Sequence, residues 1–407
     1  MNLLLQTSQS NLQAQIAVTG SKSETNRLLL LQALFSNITL ANTSNSDDSE
    51  VMQKALKGNE EIVDIHHAGT AMRFLTAYFA VNEGREVVLT GSSRMQERPI
   101  KILVEALEQL GAKITYEKEV GYPPIRIKGQ KITASKVTMA ANVSSQYISA
   151  LLLVAPKLEN GLELTLEGSI TSIPYIKMTL ALLNDLDIQT SFEGNVIKVY
   201  PKPEVESKVM TVESDWSSAS YFFSLVALAS QASISLSSYK GTSLQGDSAL
   251  VEIYAKMGVE THFDGNKMTL TKKENFNFED VKFDLNNTPD IAQTIVVTCF
   301  GLGIGCYLTG LHTLKIKETD RLEALYVEMT KLGANIKVTN DSLTLVASNQ
   351  INSNISIATY NDHRMAMAFA PLALRVPIII DNAEVVSKSY PDFWKDLERL
   401  GFQTSEI

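Results

Sequence analysis

Six times along the chain a short polar stretch opens a strongly apolar run. These are GSKSETNR before LLLLQAL, HAGTAMR before FLTAYFA, NVSSQY before ISALLLVA, ESDWSSAS before YFFSLVALA, NTPDIAQ before TIVVTCF, and NDHRMAM before AFAPLAL. The stretches begin near residues 20, 67, 142, 213, 287 and 361, so successive starts lie about 70 to 75 residues apart except the first pair, about 47 apart. Such an interval marks an internal repeat with a shortened first copy, the shortening falling around NSDDSEVMQKALKGNEE. A second signature follows several copies, in LEQLGAKITYEK, YAKMGVETHFDGNKMTLTK, MTKLGANIKVTNDSLTLVAS and LERLGFQT. Here Gly111, Gly258, Gly333 and Gly401 read as the left-handed residue that ends a helix, and the alternation beyond them reads as a two-stranded ribbon. DLDIQTSFEGNVIKVY, with Asp187 in the glycine place, is a weaker copy. The runs are apolar nearly all round, which places these helices inside. The pattern predicts strands and helices in alternation, three copies to a domain, sheets outside and helices within. A solenoid is the alternative, although the period is long for one.

Ile291–Leu311 is 21 residues without a charge, long enough to span a bilayer. Gln293 and the glycines at 301, 303 and 305 argue instead for a buried helix, a Gly-rich turn and a buried strand. The opening MNLLLQTSQSNLQ lacks a basic n-region and reads as no signal peptide, so a cytoplasmic location is expected. With 407 residues, 44% of them hydrophobic, the chain can build two cores, and its net charge of −9 argues against a partner that is a nucleic acid or an anionic membrane. Cys299 and Cys306 fit neither a disulfide framework nor a metal site, and the five histidines show no metal-ligand spacing, so no metal is expected.

The polar openings carry the chemistry. A helix N-terminus has unpaired N–H groups and a partial positive charge, so it attracts phosphate and carboxylate. Ser21 and Glu24 fit a capping box, and Lys22 and Arg27 add cations to that terminus. Capping with two solvated cations is an equally open reading there. The bias recurs at Arg73, at Ser144, Ser145 and Gln146, and at His363 and Arg364 after Asp362. Two acids interrupt it. Thr288-Pro289-Asp290 reads as cap, Pro at the first position and an acid in the first turn, and Glu318 lies within a turn of Lys317 and Arg321. Helix-dipole compensation and a surface ion pair explain each acid alone. If the helix starts of two domains face one cleft, the cleft suits strongly anionic substrates and should close on them. GxSxG, P-loop and dinucleotide fingerprints are absent.

Together GSKSETNRLLLLQAL, HAGTAMRFL, TGSSRMQERPI, SSQYISALLL, SIPYIKMTL, KETDRLEAL, YNDHRMAMAFAPLAL and SKSYPDFW resemble the 5-enolpyruvylshikimate-3-phosphate synthase family, in the family's order from about residue 15 onward. The resemblance implies an inside-out α/β barrel architecture of six βαβαββ-type units, three per domain. The domains would be residues 1–19 with 214–407, and an inserted 20–213. It implies transfer of the enolpyruvyl group of phosphoenolpyruvate to the 5-hydroxyl of shikimate 3-phosphate, releasing phosphate, on the way to chorismate and the aromatic amino acids. No cofactor is implied, and the family is commonly monomeric. The shikimate 3-phosphate site would take Lys22, Ser23, Arg27, Ser144, Ser145, Gln146, Ser172, Tyr175, Asp290, Thr313 and Lys317. Phosphoenolpyruvate would meet Lys22, Gly69, Arg94, Gln146, Arg321, Arg364 and Lys388. Asp290 would be the general base, with Glu318 and Lys22 as candidates for protonating the methylene carbon.

Three positions depart from the family pattern: His67 and Thr313 where asparagines are usual, and Phe74 where many members have proline. Gly69 implies sensitivity to glyphosate, an inhibitor that occupies the phosphoenolpyruvate site, whereas Phe74 and His67 weigh against it. UDP-N-acetylglucosamine enolpyruvyl transferase shares the fold and the donor, but generally carries a reactive Cys, in some members Asp, on a mobile loop of the domain that starts with the lysine motif, whereas Cys299 and Cys306 fall in the other domain. RNA-terminal phosphate cyclases and a repeat scaffold without catalysis are the more distant alternatives.

Overall fold

In the computed structural model, residues 1–141, 144–168, 170 and 173–407 are described. The chain forms two compact units, one of Gly20–Val212 and one of Met1–Thr19 with Glu213–Ile407. Each has its own apolar core.

Among the described residues, five four-stranded sheets share one topology. In each, two parallel strands are joined to an antiparallel ribbon, as where Ile62–Asp64 lies parallel to Glu86–Thr90, which pairs antiparallel with Ile125–Lys128 and thence with Lys113–Tyr116. The sixth sheet is only the parallel pair, Lys208–Thr211 beside Ile38–Ala41. Its ribbon is missing, because the helix Asp47–Lys57 is followed directly by the strand Ile62–Asp64. The short first interval in the sequence therefore corresponds to a lost hairpin. In the unit Met1–Thr19 with Glu213–Ile407, the first residues complete two separate sheets. Leu3–Gln6 lies between Ile378–Ile380 and Gln403–Glu406, while Asn11–Ile16 runs parallel to Gln231–Leu236.

Ribbon follows helix because the helix ends in a left-handed residue that reverses the chain. Gly111, Gly258, Gly333 and Gly401 all have positive φ, and so does Asp187 at 56°. The apolar helices are enclosed on every side: Trp216–Leu228 buries all but Ser217, Ser145–Val154 all but Gln146, and Ala292–Leu302 all but Leu302. The strands bury one face, as in the alternating pattern of Leu162–Glu167. The 21-residue uncharged segment becomes an 11-residue helix ended by left-handed Gly303, then the strand Cys306–Thr309. Among the described residues no helix is long and apolar enough to cross a membrane.

Candidate active site

In the unit Gly20–Val212, side chains join helix starts in pairs and Arg27 links its helix to two others. Lys22, the first residue of Lys22–Leu34, pairs with Asp48 at 3.1 Å. Ser21 precedes it as N-cap, but its hydroxyl makes no capping bond, so the capping box does not form. One turn on, buried Arg27 donates Nε to Thr179 Oγ1 (2.8 Å), Nη2 to Ser149 Oγ (3.0 Å) and Nη1 to the Ser23 carbonyl (2.7 Å). Its guanidinium lies 5.4 Å from the Phe74 ring centroid and 5.9 Å from that of Tyr175. Phe74, one of the departures from the family pattern, thus forms part of the floor under Arg27. Burial lowers the Arg27 pKa to about 10, which leaves it charged at neutral pH. Gln146 donates Nε2 to Thr70 Oγ1 (3.1 Å), and the Ser144 hydroxyl accepts from the Gln146 N–H, capping a helix whose first residue is Ser145. Ser172 lies outside the described residues.

Of the two arginines in TGSSRMQERPI, Arg98 rather than Arg94 meets Gly69. Arg94 is exposed and pairs with Glu97 at 2.8 Å. A Cβ at Gly69 would stand 2.7 Å from Arg98 Nη1 and 3.1 Å from Nη2, so the Arg98 guanidinium lies directly on the Gly69 backbone. Arg73 is a buttress beneath it. It donates Nη1 to the Gly69 carbonyl (3.1 Å) and Nη2 to the Pro99 carbonyl (3.1 Å), and the Tyr147 hydroxyl also donates to Pro99 (2.6 Å). Burial first, then the Arg98 charge, brings the Arg73 pKa down to about 10.

In the unit Met1–Thr19 with Glu213–Ile407, the candidates meet around Asp290, in the first turn of the 3-10 segment Pro289–Ile291. Arg321 Nη1 (2.9 Å), Lys317 Nζ (3.2 Å) and Arg364 Nη2 (3.4 Å) all reach its carboxylate. Burial alone would raise this carboxyl, but Lys317, Arg364 and Arg321 together hold it well below the usual carboxylate range. Arg321, 1% exposed, also donates to Glu318 Oε2 (2.8 Å), and through Nε to Asp362 Oδ2 (2.6 Å) and Nη2 to Asp362 Oδ1 (3.3 Å). Asp362 in turn caps His363–Phe369 by accepting the Arg364 N–H. Lys388 donates Nζ to the Asn361 carbonyl (2.6 Å). The Thr313 hydroxyl is buried with no hydrogen-bond partner among the described residues.

Sequence reasoning passed over several members of this set. Asp247 is buried and accepts hydrogen bonds from the Ser217 and Thr288 hydroxyls, so Thr288 points to Asp247 rather than capping its own turn. Ser217 also accepts from Arg364 Nη2 at 3.2 Å. Burial raises the Asp247 carboxyl against the opposing pull of Arg364. Nothing in LQGDSAL marks that aspartate as chemically special, and Asp48 was equally unmarked.

The described residues hold no cluster of three or more His, Cys, Asp and Glu able to bind a metal ion. What the geometry offers is two sets of fixed cations at helix starts, one of them enclosing an ionised carboxylate. A family model described as EPSP synthase (3-phosphoshikimate 1-carboxyvinyltransferase) matches residues 53–397. The chain belongs to that family. A 3-phosphoshikimate 1-carboxyvinyltransferase from Bacteroides fragilis is 48% identical over 398 residues, covering 97% of this chain and 96% of the relative. One from Haemophilus influenzae is 34% identical over 432 residues, covering 96% and 97%. The structure of an EPSP synthase from Acinetobacter baumannii superposes with a TM-score of 0.81 at 21% identity, covering both chains fully. An enolpyruvyl transferase from Streptomyces tendae gives 0.73 at 15% identity, covering 100% and 99%. These two structural likenesses bear on the mixed α/β fold alone.

Proposed function

We propose that the chain is a 3-phosphoshikimate 1-carboxyvinyltransferase acting as a cytoplasmic monomer, and that its residues divide the reaction as follows. Lys22, Ser23, Arg27, Ser144, Ser145, Gln146, Ser172, Tyr175, Thr313 and Lys317 hold shikimate 3-phosphate. Lys22, Gly69, Gln146, Arg321, Arg364, Lys388 and Arg98, in place of Arg94, hold phosphoenolpyruvate. Arginine suits carboxylate and phosphate because its donors form a planar fork, while lysine acts as a point charge.

The observation that carries the reading is Asp290 ionised among three cations. An ionised carboxylate can take the proton of the 5-hydroxyl as that oxygen bonds to C2 of phosphoenolpyruvate. Glu318 or Lys22 gives a proton to the methylene carbon, producing a methyl group and a tetrahedral carbon. Loss of that methyl proton back to the same group then re-forms the double bond as the C–O bond to phosphate breaks, and the proton taken up by Asp290 passes to the leaving phosphate, which restores the carboxylate. No step calls on a metal or an organic cofactor. Acid–base help of this kind is worth roughly 10²–10⁴ in rate.

Phosphate release from phosphoenolpyruvate is the test, with shikimate 3-phosphate or UDP-N-acetylglucosamine as acceptor. Release with shikimate 3-phosphate that falls at least about 10²-fold in Asp290→Ala and Glu318→Gln supports the reading. Release with the sugar nucleotide alone sinks it. Full activity in either variant removes that residue from its assigned role.

A further inference from the structure

We infer that Glu328 is a positioning residue for the phosphoenolpyruvate cations, holding the turn Thr359–Asp362 from which Arg364 and Lys388 take their places. The inference rests on the assignment of those two cations to phosphoenolpyruvate. Glu328 lies on Arg321–Lys331, about two turns beyond Arg321, and its side chain is fully buried. A buried carboxylate persists only where its lone pairs are met. Oε1 accepts from the Tyr360 hydroxyl (2.6 Å) and Lys331 Nζ (2.9 Å), and Oε2 accepts from Lys331 Nζ (2.7 Å) and the Ala358 N–H (3.2 Å).

What it holds is a conformation the chain resists. Tyr360 and Asn361 are consecutive non-glycine residues in the left-handed region, at φ 54° and 57°. For a bulky residue such as tyrosine this is a strained backbone that needs its surroundings to enforce it. The residues on either side of the kink bear the chemistry. The Asn361 carbonyl receives Lys388 Nζ, and Asp362 caps the helix carrying Arg364 while gripping Arg321. One helix therefore clamps the turn at two points, with Arg321 on Asp362 and Glu328 on Ala358 and Tyr360. If the second clamp is released, left-handed residues can relax, and the Asn361 carbonyl turns away from Lys388 as they do. Glu328 touches neither cation, so its effect passes entirely through the turn.

The test uses the full chain with Tyr360→Phe, which removes one hydroxyl, and Glu328→Gln, which keeps the shape but loses an acceptor. Lys388→Met is measured beside them. The expected result is a KM for phosphoenolpyruvate raised about tenfold in both turn variants, the scale of one lost hydrogen bond to a charged group, with the KM for shikimate 3-phosphate within about twofold of the parent. Both variants loosen the same clamp, so the double variant should fall short of the product of the two single effects. An unchanged phosphoenolpyruvate KM in folded Tyr360→Phe overturns the inference, as does an equal rise in both KM values, which would mark general loosening. If Lys388→Met also leaves the phosphoenolpyruvate KM unchanged, the assignment of that cation fails and the positioning role falls with it. If Lys388→Met raises it and the turn variants do not, the positioning role alone is refuted.

Discussion

Replacing Arg321 by lysine separates charge from geometry at the centre of the carboxylate cluster. The guanidinium makes four hydrogen bonds to three carboxylates, on Asp290, Glu318 and twice on Asp362. An ammonium keeps the positive charge, so the field acting on Asp290 changes little, but a single nitrogen cannot span the same fork. At least two of the four bonds should be lost, and charge-assisted bonds contribute about 1.5 kcal/mol or more each, giving about 3 kcal/mol. That lies at the lower edge of the ~3–5 kcal/mol for breaking a buried pair outright, as expected when the charge is retained. In a unit of about 200 residues, 3 kcal/mol lowers the thermal midpoint by roughly 6–12 °C. Asp362 also orients the helix bearing Arg364, so kcat/KM for phosphoenolpyruvate should drop on the order of 10²-fold. Thermal scanning beside the phosphate-release assay reads both quantities. An Arg321→Lys enzyme within about 2 °C and threefold of the parent would refute the reasoning, because charge alone would then hold the cluster.

Three further outcomes follow from the geometry. Gly69→Ala puts a methyl 2.7 Å from Arg98 Nη1, and the guanidinium, being the end of a flexible chain, should yield. The fold should survive while the phosphoenolpyruvate KM rises about tenfold, and steady-state kinetics beside a melting curve checks both. Arg98→Lys should cost about 10² in kcat/KM while Arg94→Lys stays within about twofold, since Arg94 makes only an exposed surface pair; comparable losses would reverse this assignment. Because the folded pKa of Asp290 is depressed, its stabilisation is present above the unfolded value of about 3.9 and is lost as pH falls through the folded value. The gap in thermal midpoint between the parent and Asp290→Asn should therefore hold steady from about pH 5 to 8 and narrow below about pH 4; a constant gap down to pH 3 would contradict the depressed value.

Features set by local physics were legible in the chain, and features set by contact through space were not. A helix that must reverse into a ribbon needs a left-handed residue, so Gly111, Gly258, Gly333 and Gly401 announced themselves, and even Asp187 was visible by its place. The buried helices were legible because their apolar residues leave no polar face. Capping was misread. Ser21 and Thr288, the two caps expected, make no side-chain capping bond, whereas Ser144 and Asp362, not singled out as caps, do. The choice between Arg94 and Arg98 depends on which one the chain lays over a glycine some 29 residues earlier, and no spacing rule contains that. Asp48 and Asp247 were invisible for the same reason. Their partners Lys22, Ser217 and Thr288 come from other elements, and an aspartate without its neighbours is only an aspartate.

The strand Leu3–Gln6 is made on the ribosome long before either of its sheet partners, Ile378–Ile380 and Gln403–Glu406. At ordinary elongation rates of 5–20 residues per second, that strand waits roughly 20–75 s with both edges open. Gly20–Val212 draws its sheets and core only from itself, so it can fold while the rest is still being translated. Vectorial synthesis thus imposes an order on the two units, and leaves an apolar strand for chaperones to shield until its partners emerge.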